Sequence, residues 1–196
     1  MVYLNDDIAH FDLEAALPLL SEQRREQCLR FKHELGRKQC AAAYLLLCEA
    51  LRKEYGITEL PVFEFGEHGK PAIVDHSDIH FNLSHCREAV LCVVSDKPVG
   101  CDVESIGRYK ETLARYTMND EEMQQITNSE RPDVAFIRLW TMKEAVLKRA
   151  GTGITDNMKT VLDGSLTDGQ SVALQLTVEF STIINIDKNY IYSITK

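Results

Sequence analysis

The sequence predicts an α+β fold of two lobes, roughly 1–99 and 100–196, each packing helices on a small antiparallel sheet. Three observations lead there. The 196 residues with 44% apolar content suffice for one domain or two small packed lobes. Two long segments, 21–55 and 136–148, carry helical periodicity. Short runs at 61–65, 79–83, 89–94, 99–104, 172–179, 183–186 and 190–194 alternate or stay apolar as strands do.

Along the chain, Ser21 is a natural N-cap for the first helix. Gly36 is expected to break it, with 40–55 continuing as a strongly apolar helix. Residues 21–38 hold six basic side chains (Arg24, Arg25, Arg30, Lys32, Arg37, Lys38) against three acids (Glu22, Glu26, Glu34). That is a local positive patch, or equally a solvated helix face. Residues 61–65 and 72–74 flank a turn at Glu67-His68-Gly69-Lys70-Pro71. Gly69 would let a ligand approach the backbone, and Lys70 can offer a point charge to a phosphate; a plain hairpin turn accounts for the same residues. The strand at 79–83 puts Phe81 and Leu83 on the core face and is expected to end at Ser84 and His85. Read locally, these are a cap serine and a turn histidine, and no Gly-x-Ser-x-Gly elbow makes a nucleophile of the serine.

An apolar run at 89–94 and a turn at Ser95-Asp96-Lys97-Pro98 lead into the strand at 99–104. A helical pattern follows from 108 to about 116, and Asn119 with Glu122 forms a capping-box start to a short helix broken at Pro132. The helix at 136–148 stops at Gly151, after Lys148 and Arg149, which suit the negative end of the helix dipole. Residues 161–162 and the three last runs complete an antiparallel sheet, so the C-terminal quarter reads as structural.

Composition excludes several classes. A net charge of -8 argues against nucleic-acid binding, which needs a basic face. Six cysteines without a Cys-x-x-Cys pair suggest reduced, buried thiols in a cytoplasmic protein. Residues 1–20 carry Asp6, Asp7, Asp12 and Glu14 and no basic region, unlike a signal peptide, and no apolar run approaches membrane-spanning length.

Two stretches carry chemistry. In Val99-Gly100-Cys101-Asp102-Val103-Glu104, strand alternation sends Cys101 and Val103 into a core and Asp102 and Glu104 the other way, roughly 6.6 Å apart. Two carboxylates at that spacing can converge on a hard cation such as Mg²⁺, or can simply face solvent on an amphipathic strand. In Phe136-Ile137-Arg138-Leu139-Trp140-Thr141-Met142-Lys143-Glu144-Ala145-Val146-Leu147-Lys148, Leu139, Met142 and Val146 form an apolar stripe. Glu144 and Lys148 lie one turn apart on the other side, which an exposed helical ion pair would also explain.

Together these stretches resemble the 4′-phosphopantetheinyl transferase superfamily, whose members pair a (Val/Ile)-Gly-x-Asp-(Val/Ile)-Glu strand with a Trp-(Ser/Thr/Cys)-x-Lys-Glu-(Ala/Ser)-x-x-Lys helix about forty residues later. Gly69-Lys70-Pro71 and Phe81-Asn82-Leu83-Ser84-His85 are further family marks, so the resemblance covers 69–148. The length resembles the longer, two-lobed (Sfp-like) members rather than the short trimeric ones, which implies a monomer with a pseudo-twofold relation between lobes and the active site at their junction. The resemblance implies that Arg24, Lys70, Ser84 and His85 contact coenzyme A phosphates from the first lobe. It implies that Asp102, Glu104 and Glu144 hold Mg²⁺, that Lys148 both binds the pyrophosphate and stabilises its developing charge, and that Glu144 is the candidate base. Where family members often carry further basic or hydroxyl residues, this chain has Gln27 and Cys40. The implied reaction moves phosphopantetheine from coenzyme A to a serine of an apo acyl or peptidyl carrier protein and releases 3′,5′-ADP. Two other activities use the same residues: a metal-dependent phosphohydrolase acting on a nucleotide, and a non-enzymatic coenzyme A or carrier-binding module.

Overall fold

The computed structural model describes residues 1–66, 68–107, 109–153, 157–162 and 179–196. It is α+β, and its chain divides into two compact units, Met1–Val99 and Gly100–Lys196. The first unit contains β1 (Val2–Asn5), α1 (Leu13–Ala16), α2 (Glu22–Leu29), α3 (Glu34–Tyr55), β2 (Phe63–Phe65), β3 (Pro71–Ile73), β4 (His80–His85) and β5 (Val90–Ser95). The second contains β6 (Gly100–Ser105), α4 (Glu111–Thr117), α5 (Asp120–Thr127), α6 (Pro132–Ala150), β7 (Phe180–Asn185) and β8 (Tyr190–Thr195).

Each unit, taken by itself, is organised alike. Its sheet has three antiparallel strands in the order first, last, middle: β1-β5-β4 in one and β6-β8-β7 in the other. A long helix stands between the first strand and the last two. In the first unit that helix is α3. Its Leu47, Ala50 and Leu51 join Ile73, Ile79, Phe81, Cys92 and Val94 in one core, and β2 and β3 form a separate hairpin over it. The second core gathers Ile106, Ala114, Met118, Ile126, Phe136, Ile137, Leu139 and Ile191. All six cysteines are free and all but Cys48 are buried.

Local signals explain most boundaries. Ser21 Oγ accepts from Arg24 N–H at 3.2 Å and caps α2. Asn119 and Glu122 form the reciprocal capping box of α5. α5 already ends at Thr127, short of Pro132, which instead occupies the first turn of α6, where its missing N–H is no loss. Gly56 and Gly151 close α3 and α6 in the left-handed conformation that glycine adopts without strain.

Three expectations need correcting, and one strand went unforeseen. The break in the first helical segment falls between α2 and α3, at 30–33, and Gly36 lies inside α3. A Cβ at Gly36 would lie 2.8 Å from the Phe31 ring, so the glycine makes room for an aromatic side chain rather than ending a helix. Ser84 and His85 are not past the end of a strand but its last two residues, paired with Leu91 and Val90. Residues 161–162 form a turn after the 3-10 helix Met158–Thr160, with Val161 in helical conformation. β1 was not anticipated: it is four residues long, and both of its large aliphatic side chains, Val2 and Leu4, are exposed. The alternating run expected at 172–179 lies outside the described residues except for Glu179.

In the second unit one contact governs the packing. A Cβ at Gly100 would collide with the carbonyl oxygen of Ala145 and stand 2.5 Å from the amide nitrogen of Arg149. The backbone of α6 therefore lies directly on β6, and both obstacles are main-chain atoms that cannot rotate away. Gly100→Ala should destabilise the protein by about 3 kcal/mol or more, the upper range for overpacking. Gly36→Ala, whose obstacle is a movable side chain, should change stability by less than about 1 kcal/mol. Urea unfolding midpoints of the two variants test the contrast.

Candidate active site

The site of the second unit is built on one face of β6. Side chains alternate along a strand, so Gly100, Asp102 and Glu104 share the face that α6 covers. Directly opposed residues of antiparallel strands also share a face. Asp102 is paired with Ser193 on β8, and Ser193 with Thr182 on β7, which makes one polar row across the sheet. Ser193 Oγ is 2.8 Å from Thr141 Oγ1 on α6 and 2.9 Å from Thr182 Oγ1. This hydroxyl network pins α6 over the row. The sequence reading missed it, because the pairing of 102 with 193 is a long-range register; Thr141 beside Trp140 was the only local hint.

α6 brings the two residues predicted on it to the strand. Lys148 Nζ donates to Asp102 Oδ1 at 2.6 Å. Glu144, one turn earlier, is 8% exposed, and its Oε1 has no hydrogen-bond partner among the described residues. Asp102 is 4% exposed and does not face solvent, whereas Glu104 is half-buried. Cys101 and Val103, on the opposite face, are buried as well.

The electrostatics show that these groups share a site. Burial pushes the Glu144 carboxyl above its ordinary range; the charge of Asp102 and, more weakly, that of Glu104 push the same way, and Lys148 opposes them. At Lys148, burial works against the ammonium, but the charge and hydrogen bond of Asp102 outweigh it and its pKa rises. The described residues contain no set of three His, Cys, Asp or Glu side chains drawn together as a metal cluster. Like charges repel, and the Lys148 ammonium occupies the Asp102 carboxylate that a cation would share. The donor set nonetheless suits Mg²⁺: carboxylate oxygens only, one of them buried with no hydrogen donor.

Beside this site lies a cleft of about 300 Å³ lined by Glu104, Lys110, Leu113, Phe136, Ile137 and Trp140.

The four residues predicted in the first unit fall on three of its parts. Arg24, on α2, stacks its guanidinium 5.1 Å from the Tyr44 ring and 5.2 Å from the Phe63 ring, and reaches Cys40 Sγ at 3.9 Å. Lys70 sits at the end of the β2–β3 turn, where Gly69 has a positive φ of 77° and Gly66 N–H donates to the Lys70 carbonyl at 3.0 Å. Ser84 is buried and His85 exposed on adjacent positions of β4, so their side chains leave opposite faces of the strand. Behind that strand, Gln39 of α3 donates to the Cys86 carbonyl at 2.6 Å and fixes the turn after His85.

A family model described as the 4′-phosphopantetheinyl transferase superfamily matches residues 98–194. A 4′-phosphopantetheinyl transferase of Bacillus subtilis is 30% identical over 158 residues, 79% of this chain and 70% of the relative. The chain belongs to the 4′-phosphopantetheinyl transferase superfamily. The 4′-phosphopantetheinyl transferase psf-1 of Bacillus pumilus is 30% identical over 171 residues, 86% of this chain and 73% of its own, and the 4′-phosphopantetheinyl transferase Sfp of Bacillus subtilis (strain 168) is 26% identical over 79% of the chain and 70% of its own. These matches take in both units, as the Sfp-like type requires. The transferase family match at 98–194 spans β6, α6, β7 and β8, and with them Asp102, Glu104, Glu144 and Lys148.

A raised carboxyl pKa means that the folded state holds the proton more tightly than the unfolded chain does. Ionised Glu144 therefore weakens folding above its folded-state pKa, and that loss is regained as pH falls through the window between the two values. In EDTA at neutral pH, Glu144→Gln should unfold at a higher temperature than the parent, and the difference should shrink on acidification. Added Mg²⁺ should raise the melting temperature of the parent and leave the variant unmoved. Scanning calorimetry over a pH series checks both.

Proposed function

We infer that this enzyme transfers 4′-phosphopantetheine from coenzyme A to a serine hydroxyl of an apo acyl or peptidyl carrier protein, with Mg²⁺ as cofactor and 3′,5′-ADP as the second product. The observation that carries this reading is the buried constellation of Asp102, Lys148 and Glu144 under one helix of a superfamily member. Asp102, Glu104 and Glu144 would hold the cation. When bound, Mg²⁺ neutralises pyrophosphate charge and orients it for in-line attack. Lys148, kept protonated by Asp102, supplies fixed positive charge to the pyrophosphate as the bond to the β-phosphate breaks. Glu144 takes the proton of the attacking serine; burial and the neighbouring Asp102 charge raise its carboxyl pKa, which makes it a better base than an ordinary carboxylate.

Nucleotide binding falls to 1–99, through Arg24, Lys70, Ser84 and His85, and metal and catalysis to 100–196. Each unit, taken by itself, has the same strand order. A cytoplasmic monomer completes the reading. No helix among the described residues is long and apolar enough to cross a membrane.

Incubation with coenzyme A, Mg²⁺ and an apo-carrier should add the mass of one phosphopantetheine to the carrier and none to its serine-to-alanine variant. Asp102→Ala should lower turnover about a hundredfold, as loss of one electrostatic stabiliser does. Near-normal Mg²⁺-dependent turnover by that variant would overturn the metal assignment. Lys70→Ala and His85→Ala should raise KM for coenzyme A more than they lower kcat. Phosphate or nucleotide released without any acceptor would instead identify a phosphohydrolase.

A further inference from the structure

Lys143 precedes Glu144 and has no part in the chemistry above, yet its side chain is fully buried, at 0% exposure. Its Nζ forms an ion pair with Glu122 Oε2 at 2.8 Å and donates to the carbonyls of Met158 at 2.6 Å and Thr117 at 3.1 Å. Thr117 is the last residue of α4, Met158 opens the 3-10 helix, and Glu122 belongs to α5. The same Glu122 Oε2 accepts from Asn119 N–H at 2.8 Å and so also completes the cap of α5. One ammonium thus joins α4, α5 and the 158–160 turn to the middle of α6. Its position at the carbonyl end of α4 is also where a helix dipole favours a cation.

The cleft beside Glu104 shows what this junction governs. Phe136, Ile137 and Trp140 on α6 form one wall; Lys110, which precedes α4, and Leu113 on it contribute the other. The distance between α4 and α6 is therefore the width of the cleft. Ala114 and Met118 attach α4 to the core through apolar contacts, which have no preferred direction. The hydrogen bond from Lys143 to Thr117 does have one, and it fixes how far α4 slides along α6.

We propose that Lys143 is a positioning residue: by tying the carbonyl end of α4 to α6 it sets the width of the cleft through which the carrier serine approaches Glu104 and Glu144. This rests on the transferase reading for what enters the cleft, but not for the junction itself.

Trp140 is the chain's single tryptophan and lines the cleft, so acrylamide quenching of its fluorescence reports cleft access with no reference to activity. Lys143→Met alone strands the Glu122 carboxylate in the core and is expected to fold poorly. The informative variant is Lys143→Met with Glu122→Gln, which removes both charges, keeps the volume and leaves a glutamine that still serves the α5 cap. Glu122→Gln alone, which retains the Lys143 bonds to Thr117 and Met158, is the control. In the double variant the quenching constant should rise about threefold and KM for an apo acyl carrier protein about tenfold, with KM for coenzyme A unchanged. The control loses stability with its ion pair, but below its own melting temperature it should match the parent in all three. Parent-like quenching in the double variant would overturn the proposal, as would equal changes in both KM values. If the parent transferred no phosphopantetheine, the functional reading would fail while the quenching comparison still decided the role of Lys143.

Discussion

The candidate active site depends on an absence: residue 100 has no side chain. Because nothing projects from Gly100 towards α6, helix backbone and strand backbone touch, with Ala145 and Arg149 against the glycine. Glu144 and Lys148 each precede one of those contact residues, about 100° around the helix. From there they meet Asp102, two residues along the strand on the same face. A methyl group at position 100 would lift α6 by more than the tolerance of a 2.6 Å hydrogen bond. Helix, strand and acid–lysine pair form one geometric unit.

That unit is electrostatically expensive. Burial and the charges of Asp102 and Glu104 all work against ionised Glu144, and Lys148 opposes them. The raised pKa of Glu144 is the local sign of this imbalance. Lys148 offsets part of it at Asp102, and the neutral Thr141–Ser193–Thr182 network holds the helix in place without adding charge. A buried carboxyl held among like charges is under tension, which is the usual relation between function and stability in such pockets.

Motifs with local physical causes were legible in the sequence. The Asn119–Glu122 capping box, the Gly151 helix end, the apolar run that became β5 and the pairing of 99–104 with 136–148 all depend on neighbours in the chain or on a family pattern. Features set by tertiary contacts were not. Gly36 signals a helix break by propensity, yet Phe31 packs across it and the helix continues. β1 is four residues long and turns a single apolar side chain, Tyr3, to the core, too short an alternation to betray it. The row from Asp102 through Ser193 to Thr182 needs the register of three strands, two of them some eighty residues beyond the first.

The hardest element to read was α6, for a physical reason. An amphipathic helix divides into a core face and a solvent face, and Glu144 and Lys148 read naturally as members of the second. From Lys143 to Leu147 every residue of α6 is buried, so there is no solvent face there to occupy. A charged residue on such a helix needs a specific partner, and each finds a different one: Lys148 turns to β6, whereas Lys143, five residues earlier and so about 140° away, turns to the ends of α4 and α5. Two lysines in one short motif thus serve opposite sides of the helix. One pairs with Asp102 on the strand; the other holds the ends of α4 and α5.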